Sequence, residues 1–194
     1  ETTIEISKAS RTKIINSIKE KIRGVDLVVF SDYDKGVCSP LLVKEVLSIC
    51  KQNKKKVIVD TKAGDYLKYK GATLINPNLY DSLKMTGEKT ATSAIRKLMA
   101  DTHSDIVMTM GSEGVLVLNT FNSITPIPSK KLSLYDPVGA GDTVTATLSL
   151  CLTETNDVIL AANIANAAAY KVVQKRGTAT ITSKELLEVV ESLY

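Results

Sequence analysis

The strongest constraint on this chain is a regular alternation between short, unbroken apolar runs and longer stretches with helical spacing. Val25–Phe30, Val57–Val59, Ala72–Ile75 and Ile106–Met110 are the apolar runs. A continuous run of that length suits a strand buried on both faces of a sheet. Between them lie helical patterns: Ser10–Ile22, with Ile14, Ile15, Ile18 and Ile22 on one face, a stretch to about Asn53, and Thr92–Ala100. Ser39 and Pro40 open the second of these as N-cap and first helical residue. Further along, Val115–Leu118 reads as a strand after a turn at Gly114, and Ile124–Ile127 as an edge strand interrupted by proline. Two long helices follow, at about 140–153 and 157–174. Thr182 and Glu185 then form a capping box for a last helix with Leu186, Leu187, Val190 and Leu193 apolar. Buried strands alternating with helices predict an α/β fold, a mostly parallel sheet flanked by helices.

In such folds ligands bind beyond the carboxyl ends of the strands. The residues just after the runs are Ser31-Asp32-Tyr33, Asp60-Thr61-Lys62, Asn76-Pro77-Asn78 and Thr109-Met110-Gly111. Polar, charged or glycine residues stand there every time. Lys35 and Lys62 follow strands too, but a loop lysine is more often a plain surface residue. Asp32 and Asp60 stay open between structure and function.

Bulk properties exclude several classes. With 194 residues, the chain has room for one sizeable domain. A net charge of +4, and a Lys54-Lys55-Lys56 run with no interleaved aromatics, do not suggest nucleic acid. No apolar run is long enough to span a bilayer, and the N-terminus has no signal-peptide pattern. Cys38, Cys50 and Cys151 are far apart and odd in number, so they read as reduced and packed, as in the cytoplasm. A zinc site is not expected, because His103 is the only histidine and reads as a helix-end surface residue. The chain has no initiator Met, and is expected to be part of a longer one.

The sharpest local signal is YDPVGAGDTVTAT, residues 135–147. Gly139, Ala140 and Gly141 are small enough to let a ligand approach the backbone. If a helix starts there, its first amides lack intrahelical partners and, with the dipole, form an anion site. Asp142 falls in the first turn. On pattern alone it is equally a capping carboxylate and a candidate catalytic base. An anion cradle beside a carboxylate is what phosphoryl transfer asks of a protein. Neither a GxxxxGK[ST] nor a GxGxxG segment is present, so P-loop and dinucleotide-binding chemistry are unsupported. Asn163 and Asn166 interrupt the alanine-rich face Ala161–Ala169, and each needs a polar partner.

Several stretches resemble those of one family. DPVGAGDT is similar to the DTxGAGD signature of the ribokinase-like (PfkB) carbohydrate kinases. Thr109–Gly114 resembles their TxGxxG segment, Asn78-Leu79-Tyr80-Asp81 their NxxE motif, and Ala165–Ala169 the helix beside their adenine pocket. SDYDKGV, YKGATLINPNLYD, ANAAAYKVV and KRGTATIT are more similar still to one branch, the heptose 7-phosphate kinase domain of bifunctional ADP-heptose synthases. The matches run in collinear order from about Val25 to Ile181.

The resemblance implies a ribokinase-like fold, with this chain as its C-terminal nucleotide-binding part, lacking the N-terminal strands and β-lid. It implies transfer of the γ-phosphoryl of ATP, with Mg2+, to a sugar-phosphate hydroxyl. D-glycero-β-D-manno-heptose 7-phosphate is the leading acceptor, giving the 1,7-bisphosphate for ADP-heptose and lipopolysaccharide core synthesis. The alternatives are another sugar or nucleoside kinase of the family, or a truncated, non-catalytic nucleotide-binding module. Asp142 would be the base and the amides of Gly139, Ala140 and Gly141 the anion hole. Asn78 and Asp81, within Asn78-Leu79-Tyr80-Asp81, would organise the magnesium-bound triphosphate. Thr109, Gly111 and Gly114 would line the phosphate and ribose side, Asn166 would lie near the adenine, and Asp136 would help hold a monovalent cation. ATP and a phosphorylated sugar are the expected partners, in a cytoplasmic homo-oligomer without nucleic acid or membrane contacts. Four positions depart from the family pattern: Asp81 replaces Glu, Pro137-Val138 replaces a threonine-bearing pair, and Thr61 replaces a proline.

Overall fold

The computed structural model describes residues 4–132 and 136–192. Tyr135 of the GAGD stretch and Leu193 of the last helix lie outside the described residues. Contacts group the chain into two compact units, the first running to Ile106 and the second starting at Val107.

The first unit begins with α1 (Lys8–Lys21), capped by the Ser7 side chain, which accepts from the Ser10 amide. β1 (Leu27–Asp32) leads into α2 (Pro40–Gln52), with Ser39 as N-cap and Pro40 in its first turn, as the sequence predicts. β2 (Lys56–Thr61), β3 (Leu74–Ile75) and the first residues of β4 (Asp105–Thr109) continue the sheet, each strand parallel to the one before. Its core is the expected apolar set: Ile58, Leu74, Ile75, Ile95 and Leu98 are fully buried, together with Tyr69 from a 3-10 turn.

Three differences from the sequence reading appear in this unit. β1 is not covered on both faces: Phe30 and Asp32 are buried, whereas Val29 is 42% exposed and Ser31 is exposed. The apolar run reports composition, and composition does not say whether a second layer covers the strand. α3 (Leu79–Thr86) has no periodic signature because it spans only eight residues. Its ends are set locally, by the Asn78 N-cap and by Gly87 in the left-handed conformation. α4 (Ala91–Thr102) starts slightly earlier than predicted, at a Thr90/Ser93 capping box, and His103 ends it in the left-handed conformation, exposed as expected.

In the second unit, β5 (Val115–Leu118) pairs antiparallel with β6 (Ile124–Ile127), and Pro126 lies opposite Leu116. Proline offers no N–H for a ladder, and β6 is an outer strand of the sheet, where it is tolerated. α5 (Ala140–Glu154) and α6 (Val158–Val172) pack together. Ala161, Ala162, Ala165 and Ala168 are fully buried, and their small side chains permit the close approach. α7 (Ser183–Glu191) opens with the predicted capping box of Thr182 and Glu185. No helix among the described residues is long and apolar enough to cross a membrane.

Candidate active site

The second unit holds a partly open cleft of about 160 Å³. One wall is the end of β4 and the turn after it, with Thr109, Gly111 and Gly114. A second is the start of α5, with Ala140, Gly141 and Val144. A third is α6, with Asn166, Ala169 and Tyr170. Thr109, Gly111, Gly114, Ala140, Gly141 and Asn166 are all residues singled out by the sequence, and the fold brings them to one place.

The α5 N-terminus is built as the GAGD pattern suggests, with one difference. Gly139 is the N-cap residue, at φ +81°, and no side chain caps the helix there. The first intrahelical bond runs from the Thr143 amide to the Gly139 carbonyl, at 3.0 Å. The amides before it have no intrahelical acceptor to reach. However, the Ala140 amide donates to the Pro137 carbonyl at 3.2 Å, which closes the turn. One of the three proposed anion-hole donors is therefore already engaged.

The glycines serve different needs. A Cβ on Gly114 would come within 2.2 Å of the Ile127 carbonyl oxygen, so this glycine is required by backbone packing whatever the cleft binds. A Cβ on Gly141 would meet nothing within 4 Å, and its φ is unremarkable. A helical glycine costs roughly 0.5–1 kcal/mol relative to alanine. No contact around that Cβ position accounts for a glycine at Gly141. Asp142 is exposed in the first turn of α5 and does not line the cleft.

Asn166 is almost fully buried, and its Nδ2 donates to the Pro128 carbonyl at 3.0 Å. That bond ties the cleft wall on α6 to the chain leaving β6. Asn163 finds its partner within its own helix, the Ile159 carbonyl at 2.9 Å. Asp136 lies just outside the cleft. Its Oδ1 accepts from the Val138 amide at 3.1 Å and its Oδ2 from the Gly177 amide at 2.8 Å. The Gly177 bond first, then that from Val138, holds the Asp136 carboxyl below the usual carboxylate range.

In the first unit, Asn78 caps α3: its Oδ1 accepts from the Asp81 amide at 2.7 Å, and its Nδ2 donates to Asp81 Oδ2 at 2.6 Å. Each side chain thus fixes the other. Leu79 is half-buried and Tyr80 is 74% exposed. Asp32, at the end of β1, is 5% exposed and ion-paired with Lys68 at 2.8 Å, and it accepts from the Tyr69 hydroxyl at 2.7 Å. Burial pushes its carboxyl up. Bonds from Lys68, Tyr69 and the Asp34 amide, and the charge of Lys68, outweigh burial and leave the net shift downward. Asp32 anchors the loop after β1, while Lys62 sits over the Tyr33 ring, 4.5 Å from its centroid. Among the described residues no cluster of three or more His, Cys, Asp or Glu side chains is placed to hold a metal ion.

The sequence reading missed Tyr170, Val144 and the Ser129-Lys130 segment, all of which line the cleft. Tyr170 had a usable signal, its place one helical turn after Asn166. Ser129-Lys130 had none, because a loop's position depends on the strands it leaves. Chemically, the cleft can hold a flat, partly apolar group against α6 and an anionic group at the α5 N-terminus.

A profile described as pfkB family carbohydrate kinase matches residues 5–185. The bifunctional protein HldE of Sulfurimonas denitrificans is 36% identical over 196 residues, covering 98% of this chain and 41% of that protein. The chain thus spans about two fifths of the length of such relatives. Among solved structures, Arabidopsis thaliana ribokinase complexed with ribose and ATP aligns with a TM-score of 0.77 at 19% identity, over 91% of this chain and 59% of that one. Phosphofructokinase-2 from Escherichia coli in complex with potassium aligns with a TM-score of 0.77 at 17% identity, over 92% of this chain and 62% of that one. These likenesses give the chain a ribokinase-like fold.

Proposed function

The chain belongs to the pfkB family of carbohydrate kinases, and from that premise we propose that the full protein transfers the γ-phosphoryl of ATP to a hydroxyl of a phosphorylated sugar. D-glycero-β-D-manno-heptose 7-phosphate is the acceptor proposed and the 1,7-bisphosphate the product, on the route to ADP-heptose and the lipopolysaccharide core. Likeness to the HldE relatives supports the acceptor. The observation that carries the nucleotide reading is Gly141, a helical glycine with open space around its Cβ position, on the wall of a cleft that also gathers Thr109, Gly111 and Asn166.

In this reading Asp142 takes the proton as the acceptor oxygen forms its bond to phosphorus. The bond from phosphorus to the β-bridging oxygen breaks, and ADP leaves. Charge developing on the phosphoryl oxygens meets the α5 amides, led by Gly139 and Gly141. Asn78 and Asp81 present oxygen donors of the hard kind that magnesium takes, and their mutual hydrogen bonds pre-orient them. Held by these two side chains, magnesium would supply charge neutralisation to the triphosphate. Tyr170 and Asn166 face the base side of the cleft. The free cysteines are compatible with the cytoplasm as the working compartment.

The test is Asp142→Asn in the full-length protein. Loss of a general base is expected to lower kcat by about 10²–10⁴-fold, with ATP-analogue binding by calorimetry preserved. An unchanged kcat removes the assigned role. A panel of phosphorylated and free sugars and nucleosides, run on the wild type, separates the heptose reading from its relatives. Turnover of none of them leaves the non-catalytic module.

A further inference from the structure

Asp136 stands at a junction that the reading above does not use. Two turns meet there, both made with left-handed glycines: Gly139 at φ +81° and Gly177 at φ +69°. Glycine turns are conformationally permissive and need an external restraint to hold one shape. Packing supplies little restraint. Around the Cβ position of Gly139 only atoms of Thr178 fall within 4 Å, the nearest at 3.5 Å. The polar bonds are more definite. The Asp136 amide donates to the Val173 carbonyl at 2.8 Å, at the end of α6. Its two carboxylate oxygens accept from Val138, inside the first turn, and from Gly177, inside the second. One residue thus joins the end of α6, the α5 entry turn and the Gly177 turn. Charge-assisted bonds of this kind are about twice as strong as neutral ones.

Resting on the kinase reading of this site, we propose that Asp136 is a positioning residue, whose carboxylate braces the Pro137–Gly141 turn against the Gly177 turn and so holds the α5 amides in the pose that phosphoryl transfer uses. This differs from the cation-holding role implied by family resemblance. Each carboxylate oxygen already accepts from a backbone amide, so the carboxylate links the two turns with no cation between them. The downward shift of the Asp136 carboxyl agrees with a group held ionised by those amides.

Asp136→Asn in the full-length protein tests the idea. The substitution keeps the shape and replaces one acceptor with a donor, which then opposes an amide. Hydrogen exchange read by mass spectrometry should quicken by about tenfold or more in peptides spanning Val138 and Gly177, and stay unchanged around Leu148 and Ala165. With heptose 7-phosphate and ATP, kcat should fall by about 10–100-fold, as misplacement of reacting groups does. The KM for ATP should move by less than about threefold, and the KCl concentration giving half-maximal rate should not move. Asp136→Ala, which removes both acceptors, should do at least as much. Unchanged exchange at both turns overturns the proposal. So does a kcat that returns to the wild-type value at saturating KCl, because that is the behaviour of a cation ligand. If the wild-type protein phosphorylates no sugar, the kinase reading fails by itself. The exchange comparison still decides the bracing by itself.

Discussion

Gly114, Gly139 and Gly141 look alike in the sequence and differ in what the structure demands of them. Gly114 is held by its φ of +97° and by a carbonyl that a Cβ would strike. Gly139 is held by its φ alone, since the contacts around it are ordinary. Gly141 is held by neither. Gly141→Ala is therefore expected to raise stability by about 0.5–1 kcal/mol, the usual gain in a helix, while weakening ATP-analogue binding because the methyl group enters the cleft. Denaturant unfolding and calorimetry on one preparation check both halves. An alanine that leaves affinity unchanged would show that nothing approaches that backbone. Asn166 carries a related lesson. Its polar side chain on an alanine-rich face announces a partner, but only the structure identifies the Pro128 carbonyl.

At the scale of elements, the carboxyl end of β1 is a buried electrostatic unit. Asp32 and Lys68 are paired with side chains only 3% and 7% exposed, and Tyr69 adds its hydroxyl. Removing one partner of a buried pair costs about 3–5 kcal/mol, because the other is left charged and unsolvated. Lys68→Met is expected to destabilise by that order at pH 7 in urea unfolding. The pH dependence has a definite sign. In the wild type the Asp32 carboxyl is depressed, so its contribution is present above the unfolded value of about 3.9 and is lost as pH falls through the lower folded value. In Lys68→Met, the same carboxyl has lost its cation and burial dominates, which moves it up. The gap between variant and wild type should then narrow between pH 7 and pH 4.5. A gap that stays constant would mean the lysine contributes packing and not charge. The element boundaries near this site were legible where a cap announces them, as at Ser39-Pro40 and at the Thr182/Glu185 box. α3 was not legible, because eight residues are too few to establish a period and its stop signal, Gly87, reads equally as a loop.

At the scale of the whole molecule, the chain forms two compact units, and the cleft belongs to the second. A ligand that binds only the folded state raises stability by about 2.7 kcal/mol at a hundredfold excess over its Kd. Magnesium and a non-hydrolysable ATP analogue should therefore raise the Tm of this chain, and the same dose should do so less for Gly141→Ala. No shift with the wild type at saturating analogue would count against the nucleotide reading.

The sequence by itself determined the fold class, most of the helix starts and six of the residues that gather in the cleft. Those properties depend on local information: apolar period, capping chemistry and short motifs whose residues are neighbours along the chain. It also left Asp142 balanced between cap and base, and the structure leaves it exposed beside the cleft for an experiment to decide. Only the tertiary structure decided that one face of β1 is open, that Asp32 is committed to Lys68 and Tyr69, that Tyr170 and Ser129-Lys130 complete the cleft, and that Asp136 joins two turns 41 residues apart in sequence. Each of these depends on which distant segments come to lie side by side. A residue's own type and its near neighbours carry no record of that.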